Sequence, residues 1–74
     1  MSNANNKAVQ HLIKLANSLR AGTGAYSCAL EALGEAGGEH AVEYLINVVN
    51  SLNAGTGAHQ NAVKALGRAG RTTE

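Results

Sequence analysis

The chain has no tryptophan, phenylalanine or proline, and two tyrosines are its only large aromatic residues. A core without large rings must be thin, with helices drawn close together by alanine and glycine. No segment alternates polar and apolar residues with a period of two, so a β-sheet is disfavoured. The sequence therefore predicts an all-α protein.

Other absences exclude broad classes of protein. One cysteine cannot form an internal disulfide framework, and it favours a reducing compartment, so we expect a cytoplasmic location. No apolar run approaches the ~20 residues that cross a bilayer, and the N-terminus lacks the apolar core of a signal peptide. A net charge of +1 is too small to indicate a nucleic acid or a membrane as the partner.

What the sequence does contain is a duplication. Residues 8–37 align with residues 41–70 at an offset of 33, and 18 of the 30 aligned positions are identical. The chain is therefore two copies of one unit, named here repeat 1 (residues 7–38) and repeat 2 (residues 39–70). We expect residues 1–6 to be a disordered lead-in and residues 71–74 a frayed tail.

Each repeat predicts a helical hairpin. The first half of repeat 1 carries apolar residues at helical spacing, and repeat 2 keeps the same pattern. The Ala-Gly-Thr-Gly segments at 21–24 and 54–57 predict tight corners between helices. At these corners Gly22 and Gly55 end one helix, and Thr23 and Thr56 cap the next. The second helix of each repeat contains a glycine, Gly34 or Gly67, and this indicates a close helix crossing.

One segment resembles a known repeat family. It begins in the second helix as Ala29-x-x-Ala32-Leu33-Gly34 and continues across a Gly-Gly corner into the third helix, where Ala-Val is followed by Leu45. This pattern is similar to HEAT-like repeats of the phycobilisome-lyase type. The family's usual Asp and Val-Arg are replaced by Ala25-Tyr26 and by their equivalents in repeat 2. The resemblance implies a short α-solenoid of two hairpins that acts as a protein-binding scaffold, and it implies no lyase activity.

The two Gly-Thr-Gly corners also look like the hairpins of helix-hairpin-helix DNA-binding modules, which also occur in pairs. In those modules the middle residue is apolar, whereas this chain has Thr23 and Thr56. Lys and Arg are absent from both corners, so only backbone amides and one hydroxyl are offered to a phosphate. A paired DNA-binding module is kept as an alternative, and nucleic acid is disfavoured as the partner.

The reactive residue types do not form a catalytic set. No two of the three histidines are four residues apart, and there is no second cysteine, so we expect no metal, no cofactor and no enzyme activity. His11 aligns with Tyr44, and His59 aligns with Tyr26. This favours half-buried rings at a helix contact over metal ligands. Cys28 aligns with Asn61, and no neighbouring motif lowers the pKa of a thiol there.

Asparagines stand near the end of the first helix of each repeat. Asn is a poor residue inside a helix because it competes for backbone hydrogen bonds. One interpretation is that the amides of Asn17 and Asn50 satisfy exposed carbonyls at the helix end. The other is that Asn17, Asn47 and Asn50 line a concave surface that holds an extended peptide, which would make the chain an adaptor for another protein.

The charges and the uncapped ends predict self-association. Glu31 and Glu35 align with Lys64 and Arg68, the same two positions with opposite sign. If the first helix lies beside the third and the second beside the fourth, both layers pair plus with minus. Solenoids normally need at least three repeats and polar caps, and this chain has neither. We therefore expect a homo-oligomer, either a ring, a filament or a two-fold dimer, stacked through the terminal helices. The residues expected at contacts between the repeats or between chains are Leu12, Ile13, Leu19, Glu31, Glu35, Ala62, Lys64, Leu66, Arg68 and Ala69.

Overall fold

In the computed structural model, which describes residues 3–73, four helices and no strand are present. They are α1 (Asn3–Ser18), α2 (Gly24–Ala36), α3 (Glu39–Ser51) and α4 (Gly57–Thr73). α1 and α2 form one hairpin, and α3 and α4 form the second. α2 packs beside α4, and α1 packs beside α3. The prediction of an all-α chain of four helices is confirmed.

The outer helices are longer than the sequence pattern predicts. α1 begins at Asn3, so residues 3–6 of the expected lead-in are helical. The side-chain amide of Asn5 donates to the carbonyl oxygen of Ala36 at 3.3 Å, which ties this turn to the end of α2. A tertiary contact of this kind offsets the weak helix propensity of asparagine. α4 continues to Thr73, so residues 71–73 of the expected tail are helical too. Met1, Ser2 and Glu74 lie outside the described residues.

The core is small and made mainly of short side chains. Among the described residues every buried side chain is apolar apart from one tyrosine, and more than half are alanines. The largest fully buried side chains are Leu30, Leu33, Leu45 and Val9. Because α2 contacts all three other helices, its apolar surface is wider than a single stripe.

Both corners between helices have the same geometry. Gly22 and Gly55 have φ angles of +95° and +93°, in the region that favours glycine. The Thr23 hydroxyl accepts from the backbone N–H of Tyr26 at 3.1 Å, and the Thr56 hydroxyl accepts from that of His59 at 3.1 Å. Each threonine therefore caps the second helix of its hairpin.

The closest approach between helices is at Gly34. A Cβ atom added there would lie 2.9 Å from the carbonyl oxygen of Ala65 and 3.1 Å from its Cα. α2 and α4 thus meet backbone to backbone, as the glycine inside α2 predicts. Gly67 is the equivalent residue of repeat 2, and a Cβ there would meet nothing within 4 Å. The crossing expected at Gly67 is absent within the described chain, because no helix lies on that side of α4.

Alanine substitution at the two glycines should have opposite effects on stability. Gly34→Ala should lower the free energy of unfolding, since overpacking costs roughly 1–3 kcal/mol and better helix propensity returns only about 1 kcal/mol. Gly67→Ala gains helix propensity without a clash, so it should raise stability by about 0.5–1 kcal/mol. Urea unfolding at low protein concentration measures both. Equal shifts in the two variants would contradict the crossing.

Candidate interaction site

The contact between repeat 1 and repeat 2, called here the internal interface, is held by polar bonds around the Gly34 crossing. Arg68 on α4 donates to Glu35 on α2 at 2.6 Å, an ion pair on the protein surface. The Asn61 side-chain amide donates to the Ser27 hydroxyl at 2.7 Å, also between α4 and α2. Together these bonds set the register in which the two helices lie side by side.

In the other layer a side-chain hydrogen bond joins α1 to α3. The Tyr44 hydroxyl donates to Asn17 Oδ1 at 2.8 Å. Asn17 is therefore used at the internal interface and does not cap the carbonyls at the end of α1. The neighbouring Ser18 does so, because its hydroxyl donates to the Leu15 carbonyl at 2.8 Å. Ser51 repeats this bond to Val48 at 3.1 Å.

The expected charge pairing is present in one layer only. Glu31 and Lys64 border one shallow depression on the α2–α4 surface without an ion pair between them. Within residues 3–73, no ion pair joins the basic residues of α1 to Glu39 or Glu43 of α3. Exposed pairs of this kind contribute only about 0–1 kcal/mol each, so the missing pairs change the stability of the fold little.

The aligned rings have different environments in the two repeats. Tyr26 is buried and its equivalent His59 is half-buried, whereas Tyr44 is half-buried and its equivalent His11 is exposed. Burial raises the pKa of both tyrosines, and the Tyr26 phenol nearby raises the pKa of Tyr44 further. In each repeat, the histidine is therefore more exposed than the tyrosine at the equivalent position of the other repeat.

The part of the chain that the structure describes holds no group of three His, Cys, Asp or Glu residues that could bind a metal ion. Cys28 is exposed. A cleft of about 410 Å³ lies between the two corners, bordered by Gly22, Leu52 and Thr56 among others, and none of its lining residues is charged. Nor is any described helix long and apolar enough to cross a membrane.

Among the described residues three large hydrophobic side chains are exposed, and each has a more covered equivalent in the other repeat. Val63 is 46% exposed, whereas its equivalent Leu30 is 0% exposed. Ile46 is 43% exposed, and its equivalent Ile13 is partly buried against the core. The differences in repeat 2 arise because repeat 2 has no neighbour on the side where repeat 1 has one.

The third of these residues, Leu15, shows the opposite asymmetry. It is 41% exposed in repeat 1, whereas its equivalent Val48 in repeat 2 is 6% exposed. Ala25 and Ala32 follow the same rule, since their equivalents in repeat 2 are buried. In repeat 2 these positions are covered by repeat 1.

The chain therefore has two end faces that correspond to the two sides of its own internal interface. The downstream face is formed by Ile46, Val63, Leu66 and Gly67. The upstream face is formed by Leu12, Leu15, Ala25 and Ala32. At the internal interface, the residues of repeat 1 that are equivalent to the downstream face contact repeat 2. The residues of repeat 2 that are equivalent to the upstream face contact repeat 1.

This placement assigns part of the expected contact set to the inside of the chain. Ala62 and Ala69 are both 0% exposed, so they belong to the core and lie on neither end face. The exposed residue is Val63, one position further along α4 and therefore about 100° round the helix. α4 packs against α2 and α3, so its buried side is wider than the repeated alanines suggest. Leu12, Ile13, Leu19 and Leu66 are half-buried against the core.

Comparison with known proteins agrees with the sequence pattern. Residues 29–51, about a third of the chain, match the family model of the PBS lyase HEAT-like repeat. Residues 29–51 are therefore similar to a HEAT-like repeat. The match covers most of α2, the Gly-Gly corner and all of α3, so the HEAT-like unit extends across the boundary between repeat 1 and repeat 2. Comparisons with curated proteins and with solved structures gave no match.

Tyr26 and Tyr44 predict a loss of stability at high pH, because burial raises the pKa of both phenols. Both folded pKa values are raised above the unfolded value of 10.0. Their contribution to stability is therefore complete below the unfolded pKa and is lost as the pH rises through the folded pKa. Tyr44→Phe should lower stability at neutral pH by about 1 kcal/mol through the lost bond to Asn17. It should also flatten the decline above pH 10, as measured by urea unfolding at several pH values. Parallel declines in the variant and the parent chain would contradict this.

Proposed function

We propose that this chain is a structural and interaction protein, a HEAT-like repeat module that associates with further copies of itself through its two end faces. HEAT-like repeats are typically scaffolds without enzyme activity, and the proposal includes no catalytic role. It places the chain in the cytoplasm, where its one exposed cysteine stays reduced. A binding surface for copies of the same chain is the most specific function that its two faces support.

The observation that carries the proposal is the matching of exposed and covered positions. Val63 and Ile46 expose apolar surface on one end, and Leu15 exposes it on the other. Their equivalents are covered where the two repeats meet. Repeat proteins obtain much of their stability from contacts between neighbouring repeats, so each exposed face lacks the contact that stabilises its equivalent.

Charge favours a second copy as the occupant. Arg68 pairs with Glu35 across the internal interface, and Lys64 and Glu31 border the same depression. If a second copy repeats this register, its Glu31 and Glu35 lie beside Lys64 and Arg68 of α4. Complementary charge of this kind favours one partner and one orientation more than it adds affinity.

The phase of the family match supports the same arrangement. The matched unit consists of α2 followed by α3. In that phase α4 corresponds to the first helix of a unit and α1 to the second. α4 of one copy placed beside α1 of another therefore forms one more pair of the α2–α3 type.

The two alternatives have less support in the structure. A peptide-binding row would use Asn17, Asn47 and Asn50, and Asn17 Oδ1 already accepts a bond from Tyr44. A DNA-binding corner would need cations, and the cleft between the corners is lined by none. Both remain outcomes of the experiment below.

The test is the solution mass over a wide range of protein concentration, measured by light scattering at low and high salt. We expect the mass to rise with concentration. Glu31→Lys should weaken assembly at low salt and have less effect at high salt, because salt screens the charges. This substitution removes neither partner of the Arg68–Glu35 pair.

Glu43→Lys is the matched control, with the same change in net charge on an exposed part of α3. It should change assembly less than Glu31→Lys does. A mass equal to one chain at every concentration contradicts the proposal. If that monomer binds duplex DNA, the DNA-binding alternative is favoured. If it binds an extended peptide that shifts the NMR resonances of Asn47 and Asn50, the peptide-binding alternative is favoured.

A further inference from the structure

Tyr44 and Asn17 have equivalents that are both unused in this structure. The Tyr44 hydroxyl donates to Asn17 across the internal interface at 2.8 Å. At the offset of 33 residues, Tyr44 corresponds to His11 and Asn17 corresponds to Asn50. Both are exposed, and the structure shows no hydrogen bond from either side chain within residues 3–73. The chain thus carries a donor on α1 and an acceptor on α3 that cannot reach each other.

The residues of the backbone crossing also have equivalents that are not in contact in this structure. Gly34 meets the backbone of Ala65, whose Cα would be 3.1 Å from an added Cβ. The equivalents of this pair are Gly67 and Ala32. Gly67 has open space above it, and Ala32 is half-buried. One end of the chain therefore has the glycine of a second crossing, and the other end has its alanine.

These two pairs, together with the exposed hydrophobic residues, are all related by the same offset. We propose that two copies meet in the register of the internal interface, with α1 and α2 of one copy on α3 and α4 of the other. Ala32 of one copy then lies against Gly67 of the other, and His11 donates a hydrogen bond to Asn50. This inference rests on the proposed self-association and specifies its geometry and its selective residues.

The geometry has a consequence for symmetry. The contact joins two different surfaces, so it leaves one free face at each end of a dimer and continues into a ring or a filament. A symmetric contact between two downstream faces would instead bring together the α4 helices of both copies, which carry basic residues and no acidic residue. Like charges in such a contact are unfavourable, so the head-to-tail arrangement is the one selected.

The first test is a double-mutant cycle between positions 11 and 50, read as the association constant from sedimentation. His11→Tyr recreates the ring that forms the internal bond, so it should tighten association roughly threefold to tenfold. In the Asn50→Ala background the same substitution should lose most of that gain, because the acceptor is missing. A gain of equal size in both backgrounds would show only added apolar area and would overturn the assigned pair.

The second test uses the glycine that lacks a neighbour. Gly67→Ala should weaken association by roughly tenfold or more, because its methyl group occupies the space for Ala32 of the other copy. It should do so while leaving the isolated chain at least as stable as the parent. Gly57→Ala is the matched control. It lies at the exposed start of α4 with nothing within 4 Å, and it should leave association unchanged.

The outcomes separate this inference from the proposed function. If the parent chain stays monomeric at all concentrations, both fail. If it associates but Gly67→Ala has no more effect than Gly57→Ala, self-association stands and the proposed register is wrong. If Gly67→Ala weakens association and positions 11 and 50 are coupled, the register is supported.

Discussion

The backbone contact between α2 and α4 at Gly34 determines most of this structure. Since a side chain there would collide with Ala65, the two helices can lie this close only at a glycine. At that distance, small side chains are enough to fill the space between them, which explains a core made largely of alanine. The bonds from Arg68 to Glu35 and from Asn61 to Ser27 then fix the register along the same helix pair.

Because the sequence is duplicated, the residues that form the internal interface occur again at the two ends of the chain. The duplication gives this chain one completed internal interface and two exposed halves of another, and the exposed halves carry its least covered large hydrophobic residues. A 74-residue domain buries a modest fraction of its surface. Covering both end faces therefore adds contacts of the kind that already stabilise the hairpins, and this links the thin core to the proposed self-association.

Much of the fold could be predicted because its local signals are strong. The Gly-Thr-Gly corners carry both a glycine at positive φ and a capping threonine, and the span of α2 follows from them. The start of α1 could not be predicted, because its stability depends on the contact between Asn5 and Ala36. The end faces were only partly predictable. A periodic pattern identifies one apolar stripe, whereas α4 packs on two sides, so Val63 is exposed and Ala62 is buried.

Cross-linking between two chosen thiols tests the head-to-tail arrangement most directly. Ser27 and Asn61 touch across the internal interface, and their equivalents in the other repeats are Gln60 and Cys28, both exposed. A Gln60→Cys variant treated with a short bis-maleimide should give a ladder of covalent oligomers beyond the dimer. The parent chain, which has Cys28 alone, and an Asn47→Cys control should not. The account is contradicted if the Gln60→Cys variant gives no ladder. It is also contradicted if both this variant and the parent chain give only dimers.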